Sequence, residues 1–510
     1  MSTPEADGLI VYRENKPFVR RALGAGQIDY LDMAEWSFAD RLFAFLSASD
    51  FLAFAQTSFP TPRVKEEAPV WFLTACAVQL KLHCESAFSK LNHLLRSGAI
   101  LSRLRFNVSM RPGGGFNGKN RKPRETMVDQ DTVRKFYRDT PAVRLFRWFN
   151  EDVARWLHHQ NAFAGQGHFI CDLTHISVPD NPNYKHVARL PLDENGHYID
   201  TKGLTPEERK RLRYTPCYAL VSLLHVLPGE KGHLYGGAYL LGGKADPIRT
   251  ARRLVRNFVE AVGPGVMKLL IVDRGFIDGG FLTWMKRDKG IDVLVPLKSN
   301  MTALDEARRL IEHFHLPWSE YKVARDAEGK LIKREDVAGV GDLCVWDACD
   351  VPLYVALMRT TDAAGNVEHW ALASTRPYSD PAKAFDHYKE RTDIEERHRQ
   401  LKECWNLSRF SSTAFNLVAM HVTFILLVYT LVQLYLNNVK LSDLTQRTIE
   451  SLRHEEKLGV NAVIVYAGRF FATFDLDEYT HILLHLRQAP LERMRQWIER
   501  FRANKTRPPP

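Results

Sequence analysis

The chain has 510 residues, too many for one hydrophobic core, so about two to four domains are expected. Hydrophobic residues make up 45% and charged residues 25%, which excludes a disordered or fibrous chain. The net charge of +10 favours a polyanionic partner, nucleic acid first and an anionic membrane surface second.

The start, "MSTPEADGLI", lacks the charged-then-apolar order of a signal peptide. Seven scattered cysteines with no CxxC pair point to neither a disulfide framework nor a zinc ribbon. A reducing cytosol is the expected compartment. Residues from about 35 to 160 read as helical from apolar spacing of three and four. Within them, residues 101–150 hold twelve Lys or Arg against four Asp or Glu. The cluster includes "RPGGGFNGKNRKPR" (111–124), where glycines allow close backbone approach to a phosphate chain. Arg121, Lys122 and Arg124 are its candidate DNA contacts. The adjacent "GGGFNGKN" (113–120) misses a phosphate-loop pattern, because Asn120 stands where a magnesium-binding hydroxyl is needed.

The texture then changes. "GHFICDLTHISV" (167–178), "YALVSLLHVL" (218–227) and "HLYGGAYLLGG" (233–243) read as strands. "DPIRTARRLVRNFVEAVG" (246–263) reads as helix, "VMKLLIVD" (266–273) as a buried strand, "GGFLTWMKRDKG" (279–290) as helix and "IDVLVPL" (291–297) as strand. Three strands followed by helix, strand, helix and strand is the order of an α/β, RNase H-like core. Asp172 lies inside the first strand and Asp273 ends a later one. An acid in an apolar strand is costly unless hydrogen-bonded or bound to a metal. Residues 301–375 break the alternation and read as a strand-rich insertion, and helices follow from about 381 to 438 and again to about 503.

"YKERTDIEERHRQLK" (388–402) has the composition of a solvated helix. On one helix, with Tyr388 at 0°, Arg391, Glu395 and Lys402 fall at about 300°, 340° and 320°. Ile394, Leu401 and Trp405 form a separate apolar stripe at about 220–260°, while Lys389, Glu390, Asp393, Glu396 and Arg397 fall on the side left for solvent. An acid flanked by Arg, Lys and Tyr suits a hard divalent cation beside phosphates. The apolar run 417–436 is long enough for a membrane span, but His421, Thr423, Thr430 and Gln433 favour a buried core helix.

The spacing Tyr388-x2-Arg391-x3-Glu395-x6-Lys402 resembles the Tyr-Arg-Glu-Lys signature of insertion-sequence family four, a group of bacterial DDE transposases. "CDLTH" (171–175) and "VDRGF" (272–276) resemble that family's first and second acidic motifs, and the resemblance covers about residues 165–440. It implies an RNase H-like core with a strand-rich insertion, and Asp172, Asp273 and Glu395 as catalytic ligands of two Mg²⁺ ions, with Mn²⁺ as a substitute. It also implies that Tyr388, Arg391 and Lys402 contact DNA. By the same resemblance Trp370, in "EHWALAST" (368–375), is placed against a base flipped out during hairpin formation, with Trp346 an alternative in the same insertion. Glu396 is a weaker third ligand, and Lys298 a further DNA contact.

The implied activity is DNA cleavage at the ends of a mobile element and joining to a target, by a homodimer on double-stranded DNA, in the bacterial cytoplasm and without a membrane partner. The rivals are an RNase H-like nuclease without strand transfer and a domesticated DNA-binding protein. The expected organisation is a helical, DNA-end-binding region (1–165), the first part of the core (166–300), the insertion (301–375), the second part of the core (376–440) and a helical C-terminal region (441–510) with a disordered tail and a role in dimerisation.

Overall fold

Helices and strands in this chain are marked by strong local signals. Asp246 accepts hydrogen bonds from the N–H groups of Ile248 and Arg249 at 2.9 and 3.2 Å, with Pro247 at the first helical position. The helix it starts, Pro247–Val262, ends at Gly263. Asp278 caps Gly279–Lys289 in the same way, and Gly290 closes that helix in the left-handed region at φ 65°.

The structure is a computed structural model and describes residues 13–35, 38–63, 68–94, 128–193, 198–199, 201, 203–227, 232–243, 246–439, 449–455, 460–468 and 470–505. The basic loop with Arg121, Lys122 and Arg124, and the near-match 113–120, lie outside these residues. The chain forms two units, Pro141–Thr445 and one that joins Met1–Thr140 to Gln446–Pro510.

In the central unit the strands are β1 (His168–Ser177), β2 (Ala188–Pro191), β3 (Tyr214–Val226), β4 (Leu234–Gly242), β5 (Leu269–Val272), β6 (Asp292–Pro296), β7 (Ser319–Arg325), β8 (Leu331–Leu343), β9 (Leu353–Asp362) and β10 (Val367–Ser374). The helices used below are α1 (Pro247–Val262), α2 (Gly279–Lys289), α3 (Thr302–His313), α4 (Pro381–Lys389), α5 (Arg391–Glu403) and α6 (Phe415–Val439). The strands form one mixed sheet in the order β2-β3-β1-β5-β6-β10-β9-β8-β7, with β4 on β3. β1, β3 and β4 are antiparallel neighbours, whereas β5 runs parallel to β1 and β6 parallel to β5. The segment expected to be strand-rich supplies α3 and β7–β10, and it extends the sheet through the antiparallel β6–β10 pair.

Among the described residues, α6 alone is long and apolar enough to cross a membrane, and 94% of its most apolar window is buried. Val422, Phe424, Leu427 and Leu431 are fully buried, and the Thr430 hydroxyl accepts the Tyr235 N–H of β4 at 3.1 Å. It is thus apolar on all sides because it is surrounded by protein on all sides.

The other unit holds strands that the reading of helical terminal regions did not include. Alongside its helices it holds a four-stranded sheet in the order Arg13–Glu14, Phe470–Asp475, Val460–Tyr466, Tyr30–Glu35. Val19, Leu23, Ile464, Ala472, Phe474 and Met494 share its core. Strands from both ends of the chain therefore complete one sheet, and the N-terminal part of this unit runs to Thr140.

Candidate active site

Two acids meet at neighbouring parallel strands. The β1–β5 register ends at Cys171 opposite Val272, and Asp172 and Asp273 are the next residues on each chain. Asp172 is 7% exposed, while the Asp273 side chain is 42% exposed. Alternation along β1 puts His168, Ile170 and Asp172 on one face of the sheet.

Helix α5 contributes the third acid. It is anchored by Ile394, His398 and Leu401, all buried. Arg391, in its first turn, donates to Glu395 Oε1 at 2.8 Å and lies 3.5 Å from Asp273 Oδ1. The guanidinium thus spans two of the three acids, where a divalent cation would neutralise them. Burial works against the Arg391 charge, but Asp172, Tyr388, Asp273 and Glu395 outweigh it and raise its pKa. Its Nε is buried with no hydrogen-bond partner.

Burial pushes the Asp172 carboxyl up to about 7; Arg391 and the Leu173 N–H oppose the rise, and Asp273 and Glu395 add to it. Burial also lowers the Lys402 pKa, against the pull of Asp172 and Asp193. Asp172, Asp273 and Glu395 offer only oxygen donors, which fit a hard cation such as magnesium or manganese.

The structure changes one expectation about the signature. Residues 388–402 are not one helix: α4 ends at Lys389, Glu390 is a junction, and α5 begins at Arg391. The Thr392 hydroxyl donates to the Lys389 carbonyl at 2.8 Å, and the Asp393 N–H donates to the Glu390 carbonyl at 3.0 Å. A hydroxyl that takes up a backbone carbonyl in this way weakens and bends a helix, although Glu390 keeps helical angles at φ −56° and ψ −23°. Arg391, Glu395 and Lys402 still share a face of α5, but Tyr388 reaches the site from α4. Its hydroxyl pKa is raised, chiefly by burial.

Residues assigned to the wet side are also partly engaged inward. Glu390 pairs with His168 at 3.0 Å, Asp393 with His233 at 3.1 Å, and Arg397 reaches the Tyr429 hydroxyl at 3.5 Å. Glu396 is held by Arg399 and Gln400 on its own helix, and the Arg399 hydrogen bonds bring its carboxyl down to about 2.

Trp370 lies on β10 opposite Met358, and its Nε1–H points to the Met358 sulfur at 3.1 Å. Its ring meets Phe385 edge-on at 5.0 Å and lies 6.1 Å from Tyr388. Together with Tyr321 and Lys389 these residues line a cavity of about 410 Å³. Trp346 lies in the loop between β8 and β9, and Lys298 is exposed in the turn after β6.

The histidines behind the site were missed. His398 is buried, with Nε2 3.1 Å from Ser222 Oγ and Nδ1 3.7 Å from Asp172 Oδ2. Its position three residues after Glu395, between the apolar and polar stripes, was the available signal.

Asp172 and Asp273 follow the paired ends of two parallel strands, and Arg391 links Asp273 to Glu395 on α5. The profile of the family described as Transposase DDE domain matches residues 163–431, which is more than half of the chain. The chain therefore belongs to the DDE transposases, enzymes that act on DNA and use divalent metal ions. No curated protein matches it.

Proposed function

We propose that this transposase is a member of insertion-sequence family four with an RNase H-like core, and that it cuts DNA at the ends of its own mobile element and joins those ends to a target. The observation that carries the reading is the bridge from Arg391 to Asp273 and Glu395, beside the buried Asp172. The sheet order, with three antiparallel strands followed by two parallel ones, supports an RNase H-like core with residues 301–375 as its insertion.

In this reading Asp172, Asp273 and Glu395 hold two Mg²⁺ ions, with Mn²⁺ as a substitute. Bound there, the ions would activate a water or a 3′-hydroxyl and stabilise the leaving oxygen of an in-line phosphodiester displacement. A cation held there would favour the ionised form of Asp172. Arg391 moves from its carboxylates to a phosphate oxygen, where two N–H groups give a directional, charge-assisted contact. Lys402 supplies a second positive charge, and Tyr388 donates from its phenol. Trp370 stacks on an extruded base, and Lys298 and the loop with Arg121, Lys122 and Arg124 hold DNA further out. The active form is a homodimer on paired ends, working in the bacterial cytoplasm, with the terminal regions serving end recognition and dimer contacts.

The test is incubation of the protein with duplex carrying the DNA that flanks its reading frame, and Mg²⁺. Cleavage followed by joining is expected, and both are lost in Asp172→Asn and Glu395→Gln. Unchanged products in those variants overturn the site assignment. Cleavage without joining would assign a nuclease, and neither product a DNA-binding protein.

A further inference from the structure

The junction residue Glu390 belongs to none of the roles above, yet it is the point from which α5 departs. Its side chain is 16% exposed, and its two carboxylate oxygens lie 3.2 and 3.0 Å from His168 Nδ1. His168 is buried and shares the face of β1 that carries Asp172. His387, in the last turn of α4, completes a cluster in which one ligand atom from each residue lies within 4.8 Å of the others. Two histidines and a glutamate at that spacing are also a metal-ligand set.

The partners of His387 decide between the two uses. The Arg376 guanidinium lies 3.0 Å from His387 Nδ1, and the Tyr378 hydroxyl 3.2 Å from it. A guanidinium only donates, so Nδ1 must accept and the proton of the neutral ring sits on Nε2. A metal-bound imidazole needs the reverse, with its outer N–H donated to a carboxylate or carbonyl. The arginine also adds a positive charge beside any cation. The cluster is therefore arranged to hold the Glu390 carboxylate.

We infer that Glu390 is a positioning residue: held by His168 on β1 and faced by His387 on α4, it fixes the break between α4 and α5 and so sets where Arg391 and Glu395 stand over Asp172 and Asp273. One turn on, the pair between Asp393 and the buried His233 secures the same end of α5 to the segment before β4. An unbroken helix through residue 390 would carry Tyr388 and Arg391 as one rigid face. The interruption at Glu390 puts Tyr388 and Arg391 on two helices. This inference rests on the site reading above, because it concerns how α5 presents Glu395.

The test uses the full chain with Glu390→Ala, Glu390→Gln and His168→Gln, next to Glu395→Gln. Mn²⁺ binding is read by electron paramagnetic resonance, cleavage of the flanking-DNA duplex in single turnover, and folding by thermal melting. Glu390→Ala is expected to weaken Mn²⁺ binding and slow cleavage by about 10- to 100-fold, the usual range for outer partners of a metal site. Glu390→Gln keeps an acceptor oxygen for His168 and should recover part of the loss. If Glu390→Ala does not fold, His168→Gln carries the same expectation.

Unchanged Mn²⁺ affinity and cleavage rate in a folded Glu390→Ala or His168→Gln protein would overturn the inference, even with a lowered melting temperature. So would a bound Zn²⁺ ion that is lost in Glu390→Gln and kept in Glu395→Gln. Loss of activity in Glu395→Gln with none in the Glu390 variants rejects this inference alone. Full activity in Glu395→Gln rejects the site reading itself.

Discussion

His398 and Asp172 face each other across the α5–β1 contact, with Nδ1 3.7 Å from Oδ2. The other ring nitrogen meets Ser222, the residue directly opposite Asp172 on β3. Burial, with Lys402 and Arg391 nearby, holds the ring pKa down to about 3, so the imidazole is neutral and has one N–H to give. His398→Leu keeps the volume and removes both polar contacts. It should cost about 1–3 kcal/mol of stability, because Ser222 loses its partner in a buried position. Urea unfolding measures this; an unchanged midpoint would make the His398 contacts energetically idle.

Arg391 is expected to separate cation binding from DNA chemistry. Its guanidinium lies between Asp273 and Glu395. Arg391→Gln removes that competing positive charge, so Mn²⁺ should bind no more weakly than in wild type. Cleavage should fall by roughly 10- to 100-fold, the equivalent of one charge-assisted phosphate contact of about 1.5–3 kcal/mol. Parallel loss of Mn²⁺ binding and cleavage would contradict this division of roles.

How far these relationships could be read from sequence differs by element. "LLIVD" and "FICDL" were legible because an acid interrupts or ends a short apolar run, a pattern that a buried strand explains simply. The hairpin of Val460–Tyr466 and Phe470–Asp475 was not, since runs that short fit a strand or a helix segment equally well, and its pairing partner lies more than 400 residues away at Tyr30–Glu35. The stripe of Arg391, Glu395 and Lys402 was legible from helical angles. The break at Glu390 was not, because neither Pro nor Gly marks it, and the His168 contact that accompanies it comes from a residue more than 200 positions away.

Asp172 gives the pH dependence its sign. Burial raises its carboxyl from 3.8 to about 7, so without a bound cation the native state keeps a proton that the unfolded chain has lost. Stability conferred by that proton is complete below pH 3.8, falls as pH rises through the window to about 7 and stays lost above it. The difference is on the order of a few kcal/mol. Asp172→Asn should remove this slope: in chelator it should be the more stable protein at pH 8, with the advantage shrinking toward pH 4. Mn²⁺ should raise the melting temperature of wild type at pH 8 and not that of the variant. Parallel stability curves with pH would show that Asp172 is not buried in this way.

Trp370 offers the most specific test of the DNA reading. The indole is oriented by Met358 and Phe385 on the wall of a cavity that also presents Tyr388, one helix away from the acids. If an extruded base stacks there, the aromatic face matters and the Nε1–H does not. Trp370→Phe should then keep most activity. Trp370→Ala should leave the first nick intact and reduce the hairpin or second-strand product by about 10- to 100-fold, since stacking one base on an aromatic ring contributes about 1–3 kcal/mol. Denaturing gels resolve the two products. Trp370→Ala also removes packing against Phe385, so melting temperature must be followed alongside. A drop in stability with both products lowered equally would mean that the ring serves the β9–β10 wall, and that the base, if extruded, rests elsewhere.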